Sequence, residues 1–211
     1  MLLYFLLSVA LEAEIKNLGE YGPFEVTVSP DGSPNGSAWG FKARKSDGWY
    51  IIINGKEWGP YEDAGMPEFS SDGSAWGFTA EKSGGSYVII NGKEWGPYEG
   101  ARWPEFSSDG SAWGFWAEKS DGSYVIINGK EWGPYEDVWS LEFSSDGSAW
   151  GFTADKSDGS YVIINGKEWG PYEDVSSLYY TKDGSFVFYA ATMTKPSYYR
   201  IERVRVSLSH K

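Results

Sequence analysis

Residues 107–143 read SSDGSAWGFWAEKSDGSYVIINGKEWGPYEDVWSLEF, and the 37 residues on either side repeat them almost letter for letter. Residues 70–106 depart from this stretch at seven positions and residues 144–180 at five. The spacing extends upstream, through Trp39, Trp76, Trp113 and Trp150 and through Trp58, Trp95, Trp132 and Trp169. One indel interrupts it, Ser33-Pro34-Asn35-Gly36 after Asp31-Gly32. A fixed period of this length marks a repeat architecture, in which no unit buries its apolar face alone and stacking supplies the core. The near-identity of the copies points to recent amplification or to deliberate design, and the sequence leaves both open.

Within the central copy, four short strands are predicted: 103–107, 112–118, 124–127 and 131–135. Ser-Ser-Asp-Gly ends the first and Lys-Ser-Asp-Gly the second. Asn128-Gly129 after the third is the strongest two-residue hairpin signal, because both residues of that turn need positive φ. Gly133-Pro134 suits an outer strand, since proline cannot donate to an inner ladder. Along the second strand Trp113, Phe115 and Ala117 share one face while Ala112 and Gly114 share the other. Bulky faces can then press on small-residue faces of the next unit, which gives the framework tryptophans a packing role. The turn aspartates are expected to cap their own backbone.

Four antiparallel strands per repeat describe a blade of a β-propeller. The pattern resembles the WD40-like repeats of TolB-type propellers, whose inner strand ends in Ser-Pro-Asp-Gly. Ser29-Pro30-Asp31-Gly32 matches that motif in full, and Ser-Ser-Asp-Gly at 70–73, 107–110 and 144–147 and Thr-Lys-Asp-Gly at 181–184 match in part. The Gly-His and Trp-Asp dipeptides of eukaryotic WD40 repeats are absent. The resemblance implies an all-β propeller and no particular activity.

The chain of 211 residues is expected to be one propeller, with 1–17 an apolar N-terminal region, 18–180 the repeats and 181–211 a divergent last blade. Five blades account for most of the sequence. The inner strands end near Val28, Phe69, Phe106, Phe143 and Tyr180. The second strands centre on Trp39, Trp76, Trp113, Trp150 and Val187, and the third run near Ile52, Ile89, Ile126, Ile163 and Arg200. Residues 19–24 would be the outer strand of the last blade, beside residues 198–202, closing the ring from both termini. In the alternative, residues 2–7 and 13–17 add two strands of a sixth blade. Residues 1–10 are read as a packed strand, or alternatively as a secretory signal with Ser8-Val9-Ala10 as its cleavage site, which would suit a secreted or periplasmic protein.

Composition narrows the chemistry. With 18 aromatic residues in every hundred the chain can fill a core, so disorder is excluded despite its low mean hydropathy. Cysteine is absent and His210 is the single histidine, which removes thiol catalysis, Cys-ligated zinc and histidine triads. A net charge of −12 argues against nucleic acid and anionic membranes as partners. No cofactor or metal is expected, and the first apolar run is too short to cross a bilayer.

Where copies diverge, selection or drift has acted after duplication. Divergence gathers between the outer strand of one blade and the inner strand of the next, a segment predicted as a loop. Four tryptophans lie outside the framework: Trp49, Trp103, Trp116 and Trp139. Trp116 is in mid-strand and is expected in the core. Trp49, Trp103 and Trp139 fall on one rim with Met66 and Arg102, and these five are the candidate ligand-binding residues. Aromatics and arginine bury much area with few rotamers, which suits recognition. Glu68, Glu105 and Glu142, matched by Thr27 and Tyr179, would line the channel as a solvated acidic wall, or in the alternative hold a calcium ion through oxygen ligands. Acids repeated in equivalent environments do not make the differentiated pair a glycosidase needs. The expectation is a non-enzymatic binding propeller, lectin-like and multivalent, for a carbohydrate. The alternative is a protein-interaction or structural scaffold. Oligomeric state is not legible in the sequence.

Overall fold

The computed structural model describes residues 15–208. The extra strands of a sixth blade, the signal-peptide reading and His210 lie wholly or largely outside the described residues. Five antiparallel sheets follow one another along the chain, built on a plan of inner, second, third and outer strand that blade 5 leaves without its outer strand among the described residues. Blade 3 shows the plan complete: Gly100–Phe106, Trp113–Lys119, Gly122–Ile127 and Lys130–Tyr135. No helix among the described residues is long and apolar enough to cross a membrane.

Local chemistry explains each corner. Asn128 and Gly129 take φ of 50° and 82°, the left-handed pair that a tight hairpin needs. The Asn128 side chain then accepts the Trp113 N–H at 3.0 Å, locking the turn onto the second strand. In the Asp-Gly turns the capping extends between blades. Asp72 Oδ1 accepts from Ser70 Oγ at 2.7 Å and from the Ser74 N–H at 2.9 Å. Ser74 Oγ donates in turn to the Asp109 carbonyl of the next blade at 3.0 Å. These bonds hold the turn carboxylates below the usual range, and Ser144 and Ser148 draw Asp146 down to about 2.

The blade interface uses the predicted alternation. Phe115 and Ala117 are buried on the face that meets blade 2, where Trp113 tilts against Trp95 with centroids 4.9 Å apart. The opposite face is small for a reason. A Cβ on Gly114 would lie 2.8 Å from Leu141 Cδ2 and from the Ile126 carbonyl oxygen, so only glycine lets blade 4 come this close. The same aromatic contact recurs as Trp58–Trp76 and Trp132–Trp150.

Four details correct the sequence reading. The segment predicted as a loop is strand in blades 3 and 4: the inner strand of blade 3 begins at Gly100, ahead of the predicted 103–107, and Trp139 lies within Asp137–Phe143. In blade 1 the turn is made by Ser33-Pro34-Asn35-Gly36, with Gly36 N–H donating to the Ser33 carbonyl as Gly73 donates to Ser70. Asp31–Gly32 of the fully matching motif is instead inner strand, paired with Trp39–Gly40, so Asp31 rather than Thr27 stands in the Glu68 position. In blade 5 a turn one residue shorter moves the register: Phe186, not Val187, opposes Tyr180 and fills the tryptophan slot. Because strand faces alternate, that single deletion exchanges inward and outward residues. The third strand is correspondingly centred on Val204, and Arg200 sits toward the tip of the longer hairpin, opposite Thr192. Finally, residues 19–24 pack on blade 1 but do not pair with the last blade, whose third strand, Tyr198–Ser207, pairs with the second alone.

Candidate functional site

On the rim between blades 3 and 4 the sheets part to leave a cleft of about 270 Å³. Blade 3 contributes Gly100, Arg102, Trp103, Trp116, Ala117, Glu118 and Ser123, and blade 4 contributes Asp137, Val138 and Trp139. Seven of these ten, all except Ala117, Glu118 and Ser123, stand at positions where residues 70–106 and 107–143 differ. The cleft is therefore lined chiefly by what breaks the repeat.

A bulge builds its upper wall. The inner strand of blade 3 loses register with the second between Arg102 and Glu105, and Trp103 adopts φ of 50°. A bulky residue in the left-handed region is strained, and such strain marks sites where a side chain is re-aimed. Ser140 carries the same turn in blade 4, with φ of 55°. Re-aimed in this way, Trp103 is 61% exposed and meets Trp116 edge to face, with centroids 5.6 Å apart. Trp116 itself is only 8% exposed, and its indole N–H lacks a partner. Its Cα partner across the strands is Arg102, whose guanidinium pairs with Glu118 and lies 5.3 Å from the Trp103 ring. Facing them, Trp139 is half-buried, and the Asp137 carboxylate accepts the Val138 N–H at 2.8 Å. Aromatic surfaces are thus set beside charged groups that keep their heads in water.

The five predicted residues divide. Arg102, Trp103 and Trp139 meet in the cleft. Trp49 and Met66 do not line it: Trp49, half-buried in blade 1, lies under the Lys42 ammonium at 4.0 Å, and Met66 is half-buried in blade 2. Trp116, expected in the core, is buried and also forms the cleft floor. The signal that finds it is Thr79 and Thr153 at the matching positions of the neighbouring copies. The multivalent expectation also needs correction, since no other described copy has two tryptophans at the positions of Trp103 and Trp116. The constellation occurs at one blade interface.

The channel acids form a second cluster. Burial and the like charges of Glu142 and Glu68 push Glu105 up to about 7, although solvent still reaches its side chain. Burial also raises Glu68 and Glu142, with Asp31 adding repulsion at Glu68. Among the described residues no group of three or more acidic or histidine side chains is arranged to hold a metal ion.

No protein-family model matches the chain, and a search of curated proteins found no match. Solved structures do resemble it. The β-propeller domain of the Trilobed protease from Pyrococcus furiosus superposes with a TM-score of 0.50 at 15% identity, over 88% of this chain and 70% of that one. TolB from Acinetobacter baumannii gives 0.44 at 16% identity, over 86% of this chain. A putative TolB from Agrobacterium tumefaciens gives 0.42 at 13% identity, covering 85% of this chain and 76% of that one. The chain spans about half, 54%, of the length of the Acinetobacter protein. At such identities the likeness establishes the β-propeller fold and carries no activity with it.

Proposed function

We propose that this β-propeller is a non-enzymatic binding module and that the cleft between blades 3 and 4 takes one carbohydrate ligand per chain. The observation that carries the reading is the meeting of Trp103, Trp116 and Trp139, three departures from the neighbouring copies, at a single blade interface. A sugar ring offers an apolar C–H face for an indole and hydroxyl groups for neighbouring polar heads. Here the half-exposed Arg102 and Glu118, with Asp137, stand beside the aromatic wall. The two cleft carboxylates are already engaged, Glu118 with Arg102 and Asp137 with the Val138 N–H, which favours binding over proton transfer.

A glycan array probed with the parent and with Trp103→Ser tests this reading. Retention of a sugar class by the parent and its loss in the variant is the expected result. Silence of the parent across the array, or equal binding by the variant, returns the cleft to a packing role and favours the scaffold alternative.

A further inference from the structure

Independently of the cleft, the exposed apolar side chains gather at the two ends of the array. Of twelve large ones exposed among the described residues, eleven lie on blade 5, on the N-terminal segment or on the strand it leads into; Trp103 is the exception. Each end also lacks what the other displays.

At the N-terminal end, residues 19–24 already sit as an outer strand does. Tyr21 packs on Trp39 with centroids 5.3 Å apart, and Phe24 meets Phe41 edge-on at 5.9 Å. Trp58 and Tyr61 make the same two contacts with blade 2, at 5.0 and 5.7 Å. What the segment lacks, among the described residues, is a third strand beside it. At the C-terminal end, no described residue pairs as an outer strand with the third strand of blade 5.

The charges fit the same pairing. In blades 1–4 a lysine ending the second strand holds a glutamate of the outer strand, as in Lys45–Glu57 at 2.5 Å, Lys119–Glu131 at 2.6 Å and Lys156–Glu168 at 2.7 Å. Glu20 precedes Glu57 by one repeat and is exposed. In blade 5 the lysine slot is filled by Thr192, but Arg200 stands directly opposite it and supplies the missing cation. Register carried over from blade 4, where Val162 opposes Trp169 and Ile163 opposes Glu168, sets Tyr21 against Arg203 and Glu20 against Val204. Arg203 occupies the slot that the fully buried Val162 fills in blade 4, so this edge suits a strand that brings the Tyr21 hydroxyl and the Glu20 carboxylate to it.

Within one chain no strand of blade 5 pairs with the segment. We propose that a second copy of this chain supplies it: the edge of Tyr198–Ser207 in one molecule takes residues 19–24 of the other as its outer strand, and the reverse. Two open arcs would then close on each other through a two-fold pair of like junctions.

Light scattering coupled to size exclusion, over a dilution series, reads the result directly. The parent is expected at the mass of two chains. Glu20→Arg leaves both surfaces of the junction positive, and Arg200→Glu with Arg203→Glu leaves both negative, so each variant alone should run as one chain. Mixed, they should recover a two-chain species, because each junction again joins opposite charges; that recovery also excludes misfolding as the cause of the loss. A parent that runs as one chain at every concentration overturns the proposal, and protected amides along Tyr198–Ser207 in that single chain would identify closure upon itself instead. Variants that stay paired, or a mixture that stays single, overturn it equally.

Discussion

Two tryptophans three residues apart on one strand have different origins and different neighbours. Trp113 recurs in the copies and faces blade 2, tilted against Trp95 and stacked on Phe115 at 6.1 Å. Trp116 occurs once, faces blade 4 and meets the strained Trp103. The first belongs to a contact that recurs between blades 1 and 2, 2 and 3, and 3 and 4, as stacking of like units requires. The second stands where the neighbours hold threonine, so the fold does not need it. In a chain of near-identical copies, repetition marks packing, and the cleft we propose as a site is lined chiefly by departures from it.

The largest effect is expected at the repeated residue. Trp113→Ala removes a side chain gripped by two aromatic rings and should cost about 3–5 kcal/mol, as large core truncations do. Chemical denaturation would read it, and a loss near zero would remove the basis for the contrast. Gly114→Ala comes next. The added methyl meets Leu141 and the Ile126 carbonyl at 2.8 Å, and overpacking of this kind costs about 1–3 kcal/mol. Trp116→Thr restores the residue of the neighbouring copies and leaves a hollow open to the rim rather than a closed cavity. It should cost about 1–2 kcal/mol, below the Trp113 value; equal losses would make the two tryptophans one class. Trp103→Ser installs the residue that blade 4 already holds at the same left-handed position, Ser140, and should change stability by less than about 1 kcal/mol.

The smallest effect contrasts the rim with the channel. Glu105 is raised to about 7 by burial and by its acidic neighbours, so the folded chain holds that proton more tightly than the unfolded one. Its contribution therefore favours folding at low pH and is lost as pH rises from about 4.5 through 7, reduced by the solvent that reaches it. Glu105→Gln should flatten the decline of melting temperature across this window. A parent that gains stability from pH 5 to pH 8, with the variant unchanged, would contradict the channel account.

Much of this was legible in the sequence because it rests on local rules. Asn128-Gly129, the Asp-Gly turns and the alternation of Trp113, Gly114 and Phe115 each specify backbone or facing within a few residues. The misread parts depend on distant contacts or on register. The bulge at Trp103 recurs at Ser140 in blade 4, and a register break between paired strands leaves no mark in local composition, so the segment reads as a loop. The shorter turn before Ser185 shifted each face of the second strand of blade 5, an error that period-two alternation amplifies. Ser29-Pro30-Asp31-Gly32 had the right letters in the wrong place, because the inserted Ser33-Pro34-Asn35-Gly36 serves as the turn. Trp116 is in the core, as its strand position predicts; its departure from Thr79 and Thr153 is the signal that it also lines the cleft. Pairing of residues 19–24 with the last blade follows from counting strands, and counting carries no distance.

Titration calorimetry with a sugar retained on the array, comparing the parent with Trp103→Ser/Trp116→Thr/Trp139→Ser, tests the central claim most directly. The account predicts one equivalent bound per parent chain and none by the reverted chain. Several equivalents per parent chain, or unchanged binding by the reverted one, would contradict the claim that the broken repeat builds the site.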